Sequence, residues 1–265
     1  FFLWVHLFDP HDTHILPPAR YLEKRMEGRQ VEDQHDYLRA VYDAEISNAD
    51  MHVGIIIDEL DRLGLRESTV LAVTSDHGEG LGDHNWWKHS LLYQEQIQVP
   101  LILQGPGIPA GKVVTPVVEH VDLMPTLLQL AKIGHSTPAG VQGQSLIGLL
   151  LGDVTLDRKT TAYSEVHSFY TLSESPGKRD IGVIYSIIDD RWKLLHFPRR
   201  PAYDKLFDLQ EDPGELRNLI DQHPEIFESL FDELARREAV DTQLPEPGEL
   251  TAVDLEFLRS LGYVV

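Results

Sequence analysis

Short apolar runs alternate with longer amphipathic segments through the first 160 residues of the chain. Residues 69–74 and residues 99–103 are apolar runs bounded by polar residues, which is typical of buried strands. Between residues 31 and 65 the apolar positions recur at close to 3.6 residues, which predicts one long helix that ends at Gly64. This alternation predicts an α/β fold in which helices sandwich a mostly parallel sheet.

The first strand of that sheet is predicted at residues 1–8, which are almost entirely apolar or aromatic. It ends at Asp9-Pro10-His11, where the proline cannot donate a hydrogen bond to a neighbouring strand. Together with the long helix and residues 69–74, it would complete a strand–helix–strand unit. A further helix is predicted over residues 121–133.

Near residue 160 the pattern changes to short strand-like runs that follow one another directly. We therefore predict an α/β domain over residues 1–160 and a smaller α+β subdomain over residues 161–265. The predicted strands of the subdomain span residues 162–166, 181–188, 192–196 and 206–209, and its predicted helices span residues 224–237 and 250–261.

The charge and the composition disfavour several classes of function. The chain has 23 Lys and Arg against 43 Asp and Glu, which gives a formal net charge of −20 and disfavours binding to nucleic acids. No apolar stretch reaches the roughly 18 residues that a membrane span requires. Because cysteine is absent, this chain holds neither a thiolate zinc site nor a cysteine nucleophile.

The densest group of chemically active side chains lies at residues 74–89, directly after a predicted strand. Ligands of α/β sheets bind beyond the carboxyl ends of strands, where Asp76 and His77 stand. A carboxylate and an imidazole can together bind a divalent cation, so these two residues are candidate metal ligands. The competing interpretation is a glycine-rich acidic loop with histidines of no special role.

Further candidates extend this group. His11 ends the first predicted strand, and Lys88 and His89 follow the glycine-rich turn. Histidines at the ends of neighbouring strands could converge on one site. Two common signatures fail: residues 105–112 lack the spacing of a phosphate-binding loop, and no Gly-x-Ser-x-Gly nucleophile elbow is present.

Several segments carry recognisable motifs in a fixed order: residues 2–11, 75–79, 81–84, 89, 92–95, 99–102, 121–128, 206–213 and 218–219. In this order they resemble the motifs of sulfatases, a family of the alkaline phosphatase superfamily. The resemblance implies hydrolysis of sulfate esters by a formylglycine nucleophile, which forms from Cys or Ser in a Cys/Ser-x-Pro-x-Arg motif. That motif is absent from the sequence, so the chain resembles the C-terminal portion of a sulfatase and is expected to be inactive alone.

The resemblance also implies roles for individual residues. Asp76 matches a metal-binding aspartate, and His77 stands where many members have asparagine. His11 matches a histidine that contacts the sulfate or the leaving-group oxygen. His89 stands where many members have lysine, and Lys88 is one position away, so the choice between these two stays open.

The implied cofactor is a divalent metal ion, calcium by resemblance, with manganese or zinc also suited to the imidazole of His77. The implied partner is a sulfated small molecule or glycan, and the resemblance assigns neither a compartment nor an oligomeric state. Two alternatives remain: a phosphodiesterase or phosphonate monoester hydrolase of the same superfamily, and a non-catalytic module that binds sulfated glycans.

Overall fold

Two helices that pack side by side form the first part of the fold. The computed structural model describes residues 1–11, 16–27, 32–133, 142–152, 161–168 and 182–241. Helix α1 (Ala19–Met26) lies along the 29-residue helix α2 (Gln34–Arg62). The Arg25 guanidinium of α1 donates to the Ser47 hydroxyl of α2 at 2.8 Å.

The ends of α2 follow from local chemistry. The Asp33 carboxylate accepts hydrogen bonds from the backbone N–H groups of His35 and Asp36 at 2.8 and 3.0 Å, which caps the first turn. Gly64 adopts a left-handed φ of 67° just beyond the last turn. The predicted long helix and its glycine stop are therefore confirmed.

Strand β1 (Leu71–Thr74) leads into the candidate site. It pairs with β2 (Leu101–Gln104), and the short helix α3 (Gln94–Ile97) lies between the two strands in sequence. Helices α4 (Leu123–Leu130) and α5 (Ile147–Leu151) follow β2. No helix within the described ranges is long and apolar enough to cross a membrane.

The first predicted strand is not formed. Residues 1–8 have no strand partner in the described chain, and the side chains of Phe1, Phe2, Leu3 and Trp4 are 65–87% exposed. The predicted parallel pairing is also wrong for the described strands, because every pair among them is antiparallel. Apolar composition indicates that a segment can be a buried strand, but the strand forms only where a neighbour supplies hydrogen bonds.

Four antiparallel strands in chain order form a second sheet. They are β3 (Ala162–Ser168), β4 (Gly182–Ile188), β5 (Trp192–His196) and β6 (Lys205–Asp208). Helix α6 (Pro224–Asp241) packs on β4 and β5. The predicted helix at residues 250–261 lies outside the described residues.

Two apolar clusters form the core around this sheet. One lies between the sheet and α6, and its buried members are Ile187, Leu194, Leu206, Leu230 and Leu234. The other joins the opposite part of the sheet to the segment before α3, and its buried members are Leu91, Leu92, Tyr93, Ile184, Leu195, Phe197 and Phe207. The second cluster, named the shared cluster below, therefore crosses the predicted boundary at residue 160.

Candidate functional site

Three histidines from distant parts of the sequence meet beyond the end of β1. His11, His77 and His89 each place one ring nitrogen so that the three atoms lie within 4.8 Å of one another. The rings of His77 and His89 stack with centroids 4.0 Å apart, and the ring of His11 lies 5.2 Å from that of His89. We call these residues the histidine triad.

The orientation of His77 is fixed by its own turn. Its Nδ1 lies 2.8 Å from the backbone carbonyl oxygen of Gly78, and since a carbonyl only accepts, Nδ1 carries the proton. The lone pair therefore belongs to Nε2, which is buried and has no hydrogen-bond partner among the residues that the structure describes. A buried nitrogen with a lone pair and no donor is suited to bind a cation.

Asp76 stands beside this nitrogen. One carboxylate oxygen accepts the His77 N–H at 3.0 Å, and the other lies 3.7 Å from His77 Nε2. The carboxylate is about half exposed, and the hydroxyl of Ser75 donates to the His77 carbonyl at 2.7 Å. These contacts keep a carboxylate oxygen and an imidazole nitrogen on the same side of the turn.

His89 is oriented by a carboxylate that comes from the same loop. Glu79 Oε2 lies 2.9 Å from His89 Nδ1, and the Glu79 side chain is largely buried. A carboxylate at Nδ1 holds the proton on that nitrogen and leaves Nε2 available for a ligand. Sequence reasoning gave Glu79 no role, although its position two residues after His77 was a usable signal.

His11 reaches the triad from a turn of 3₁₀ helix at Asp9–His11. The ring of His11 stacks on Phe8 with centroids 4.8 Å apart, and Asp9 accepts a hydrogen bond from the Asn48 amide of α2 at 2.9 Å. Burial, with the neighbouring His89 and His77, holds the pKa of His11 below its usual range. This environment favours the neutral form of His11.

A small cavity of about 70 Å³ opens beside the triad. Its walls include His11, Asp76, Glu79 and Tyr42 of α2. Burial and the nearby Glu79 raise the pKa of the Tyr42 hydroxyl, so it stays a neutral hydrogen-bonding group.

Lys88 does not join the triad. Its side chain is exposed, whereas His89, the next residue, is half-buried in the cluster. Of the two candidates that the sequence left open, His89 belongs to the histidine triad and Lys88 does not.

The arrangement brings three imidazoles together beside the carboxylates of Asp76 and Glu79. Carboxylate oxygen with neutral imidazole nitrogen suits manganese or zinc, and the exposed carboxylate also suits calcium. Neutral imidazoles that become protonated beside an anion can also stabilise that anion and transfer a proton to it. The residues present therefore fit a divalent ion and an anionic substrate side by side.

The sequence of this chain is similar to that of known protein families and of individual proteins. The sequence pattern of the Sulfatase family matches residues 1–133, and that of the family N-sulphoglucosamine sulphohydrolase, C-terminal, matches residues 82–240. The chain is 33% identical to arylsulfatase K of Homo sapiens over 212 residues, which cover 80% of this chain and 39% of the relative. It is 33% identical to an arylsulfatase of Clostridium perfringens over 186 residues, which cover 69% of this chain and 36% of the relative. The chain thus spans well under half the length of these curated relatives.

Solved structures show the same fold. BT4656, in complex with its substrate D-glucosamine-2-N,6-O-disulfate, superposes with a TM-score of 0.68 at 24% identity, covering 87% of this chain and 47% of that chain. The phosphonate monoester hydrolase of Silicibacter pomeroyi superposes with a TM-score of 0.66 at 30% identity, covering 81% of this chain and 43% of that chain.

These likenesses confirm the predicted alkaline phosphatase-like α/β fold and the predicted family. The two family patterns together run from residue 1 to residue 240, and the histidine triad lies within the part that the first of them matches. This chain belongs to the sulfatase family of the alkaline phosphatase superfamily.

Proposed function

We propose that the protein carrying this chain hydrolyses sulfate esters at the histidine triad. The convergence of His11, His77 and His89 beside Asp76, in a chain of the sulfatase family, is the observation that carries this proposal. A cluster of imidazoles and one cation would locally reverse the repulsion that a net charge of −20 imposes on an anionic substrate.

Asp76 and His77 are the proposed ligands of a divalent ion. Support comes from the partnerless Nε2 of His77 and from the carboxylate oxygen 3.7 Å away. Bound there, the ion would supply positive charge to the nonbridging oxygens of the sulfate group. Calcium is expected from the family, and manganese or zinc from the imidazole.

His11 and His89 are the proposed substrate-contacting residues. His89, oriented by Glu79, can hold a sulfate oxygen through Nε2 once it is protonated. His11 faces the cavity, where a protonated imidazole can donate to the departing alkoxide oxygen. We propose no substrate role for Lys88, because its side chain is exposed.

The test is hydrolysis by the complete protein of an aryl sulfate, with an aryl phosphonate monoester and a phosphodiester as competing substrates. His11→Ala should lower kcat about 100- to 1,000-fold, the usual cost of one transition-state donor. His223→Ala is the matched control, because His223 lies beside Trp192, outside the triad, and should leave the rate unchanged. An unchanged rate in His11→Ala would contradict the assignment.

Metal binding provides a second test that does not depend on turnover. Asp76→Ala should weaken the binding of Mn²⁺ measured by calorimetry, whereas Asp83→Ala, in the same loop but outside the cavity, should not. Full metal occupancy in Asp76→Ala would remove Asp76 from the ligand set.

A phosphonate monoester hydrolase is the second candidate, since one such enzyme is 30% identical over 81% of this chain. Faster hydrolysis of the phosphonate than of the sulfate ester would favour it. Binding of sulfated glycans without any turnover would favour a non-catalytic module.

A further inference from the structure

The short helix α3 holds the two triad residues His77 and His89 at a fixed spacing. Its Gln96 carbonyl accepts the N–H of Gly78, the residue after His77, at 2.8 Å. The buried side chain of Gln96 accepts the N–H of Leu91, two residues after His89, also at 2.8 Å. One residue of α3 therefore anchors both sides of the loop that carries the triad.

Helix α3 is itself held from the C-terminal part of the chain. Glu215 Oε2 accepts the backbone N–H of Gln94, the first residue of α3, at 2.6 Å. The other carboxylate oxygen of Glu215 lies 2.6 Å from Lys193 Nζ, as an ion pair rather than a well-aligned hydrogen bond. Lys193 Nζ also donates to the Gln94 side chain at 3.4 Å.

This ion pair is unusual in being fully buried, since both side chains are at most 1% exposed. Burial lowers the pKa of Lys193 to about 8, even though Glu215 and Glu95 oppose the shift. Replacing such a pair by apolar residues is often neutral or stabilising, so stability alone does not explain the two charges. An apolar pair, however, could not accept the hydrogen bond that the Gln94 N–H donates to Glu215.

Glu215 contacts the same loop at a second point through its backbone. Its carbonyl oxygen lies 3.3 Å from His84 Nε2, and the ring of His84 stacks on Tyr93 with centroids 3.7 Å apart. Lys205 of β6 donates to the Tyr93 hydroxyl at 2.7 Å. Lys205 of the sheet and Glu215, which follows the sheet, therefore also hold the segment that carries the triad.

We propose that Lys193 and Glu215 are positioning residues of the triad: they fix the first turn of α3, and α3 sets the spacing between His77 and His89. Neither residue touches the cavity beside the triad. The claim that this spacing matters for catalysis rests on the proposed function. The claim that Lys193 and Glu215 maintain the spacing does not.

The test compares two double variants that differ only in the acceptor. Lys193→Met with Glu215→Gln keeps an oxygen for the Gln94 N–H, and Lys193→Met with Glu215→Leu removes it. Hydrogen exchange of the Gly78 and Leu91 amides is measured by NMR on the folded chain without substrate or metal. We expect exchange about five- to tenfold faster in the Leu variant, the effect of one lost hydrogen bond, and near the wild-type rate in the Gln variant.

Two further variants complete the design. Arg191→Met removes the ion pair between Arg191, in the turn before β5, and Asp208 at the end of β6, and should leave both amides unchanged. Gln94→Pro removes the donor at the first helical position, where proline is tolerated and where the preceding Tyr93 is already extended, at φ −74° and ψ 159°. It should accelerate exchange at both amides even if the Leu variant fails to fold.

Wild-type exchange at Gly78 and Leu91 in Gln94→Pro, or in a folded Leu variant, would overturn the proposal. Faster exchange combined with no turnover of sulfate esters by the complete protein would instead leave the positioning role intact and contradict the proposed function. The two failures are therefore distinguishable.

Discussion

At the scale of single residues, Gly78 lies where the turn after β1 passes close to α3. A Cβ at this position would lie 2.1 Å from the backbone carbonyl oxygen of Glu95, which cannot move without shifting α3. Only glycine allows this approach, and the approach permits the hydrogen bond from Gly78 to Gln96. The glycine therefore keeps His77 next to the helix that also anchors His89.

Gly78→Ala should destabilise the chain by about 1–3 kcal/mol through this backbone clash, measured by urea unfolding. Gly54→Ala is the matched control, because a Cβ on this α2 residue meets nothing within 4 Å. It should raise stability by up to about 1 kcal/mol through helix propensity. Equal stability of the two variants would contradict this, because it would mean that the turn can move enough to avoid the clash with Glu95.

Lys193 should make stability depend on alkaline pH. Because its pKa is lowered to about 8 in the folded chain, against 10.5 for the ordinary group, the unfolded chain binds more protons between these values. Stability relative to Lys193→Met should therefore rise from pH 8 to pH 10.5, by on the order of 3 kcal/mol. Parallel pH profiles of the two proteins in urea titrations would contradict the shift.

At the scale of elements, strands form where the chain supplies both an apolar face and a neighbour. Strands β4 to β6 have both, and their predicted positions agree with the observed ones to within one or two residues. Residues 1–8 have the apolar composition but no neighbour in the described chain, so composition alone misled the prediction. The predictions of the helices that became α2, α4 and α6 are confirmed, because the hydrogen bonds of a helix join residues that are close in sequence.

Leu194 tests the packing between β5 and α6. Its side chain is fully buried among Ile187, Leu206 and Leu234, so Leu194→Ala should cost about 2–5 kcal/mol in denaturant unfolding. Ile102→Ala on β2 is the control, because Ile102 is largely exposed and its truncation should change stability by about 0.5 kcal/mol or less. A small effect at Leu194 would indicate that the cluster closes around the deletion.

At the scale of the whole molecule, the shared cluster joins the two predicted parts of the chain. Leu91, Leu92 and Tyr93 come from the loop that carries the triad, whereas Phe207 and Leu195 come from the sheet. The boundary at residue 160 stays a prediction, but the shared cluster contains residues from both sides of it. The two parts are expected to unfold together rather than as independent units.

Phe207→Ala should therefore weaken amide protection on both sides of the boundary. The deletion of a buried aromatic ring costs about 3–5 kcal/mol, and a cooperative unit distributes that loss. Hydrogen exchange at Leu92 and at Ile187 measures the two sides separately. A loss confined to Ile187 would mean that the sheet unfolds without releasing the loop.

The sequence by itself determined the family and the α/β class, and it supplied Asp76, His77, His11 and His89 as candidate site residues. Their types and order can be read directly because each motif is contiguous in the chain. Only the tertiary structure shows that Glu79 contacts His89 and that Lys88 lies outside the histidine triad. The tertiary structure also shows the contacts of Lys193 and Glu215 with each other and with Gln94 of α3. Those contacts join residues up to 121 positions apart. The sequence around a buried polar side chain does not reveal which distant residue will be its hydrogen-bond partner.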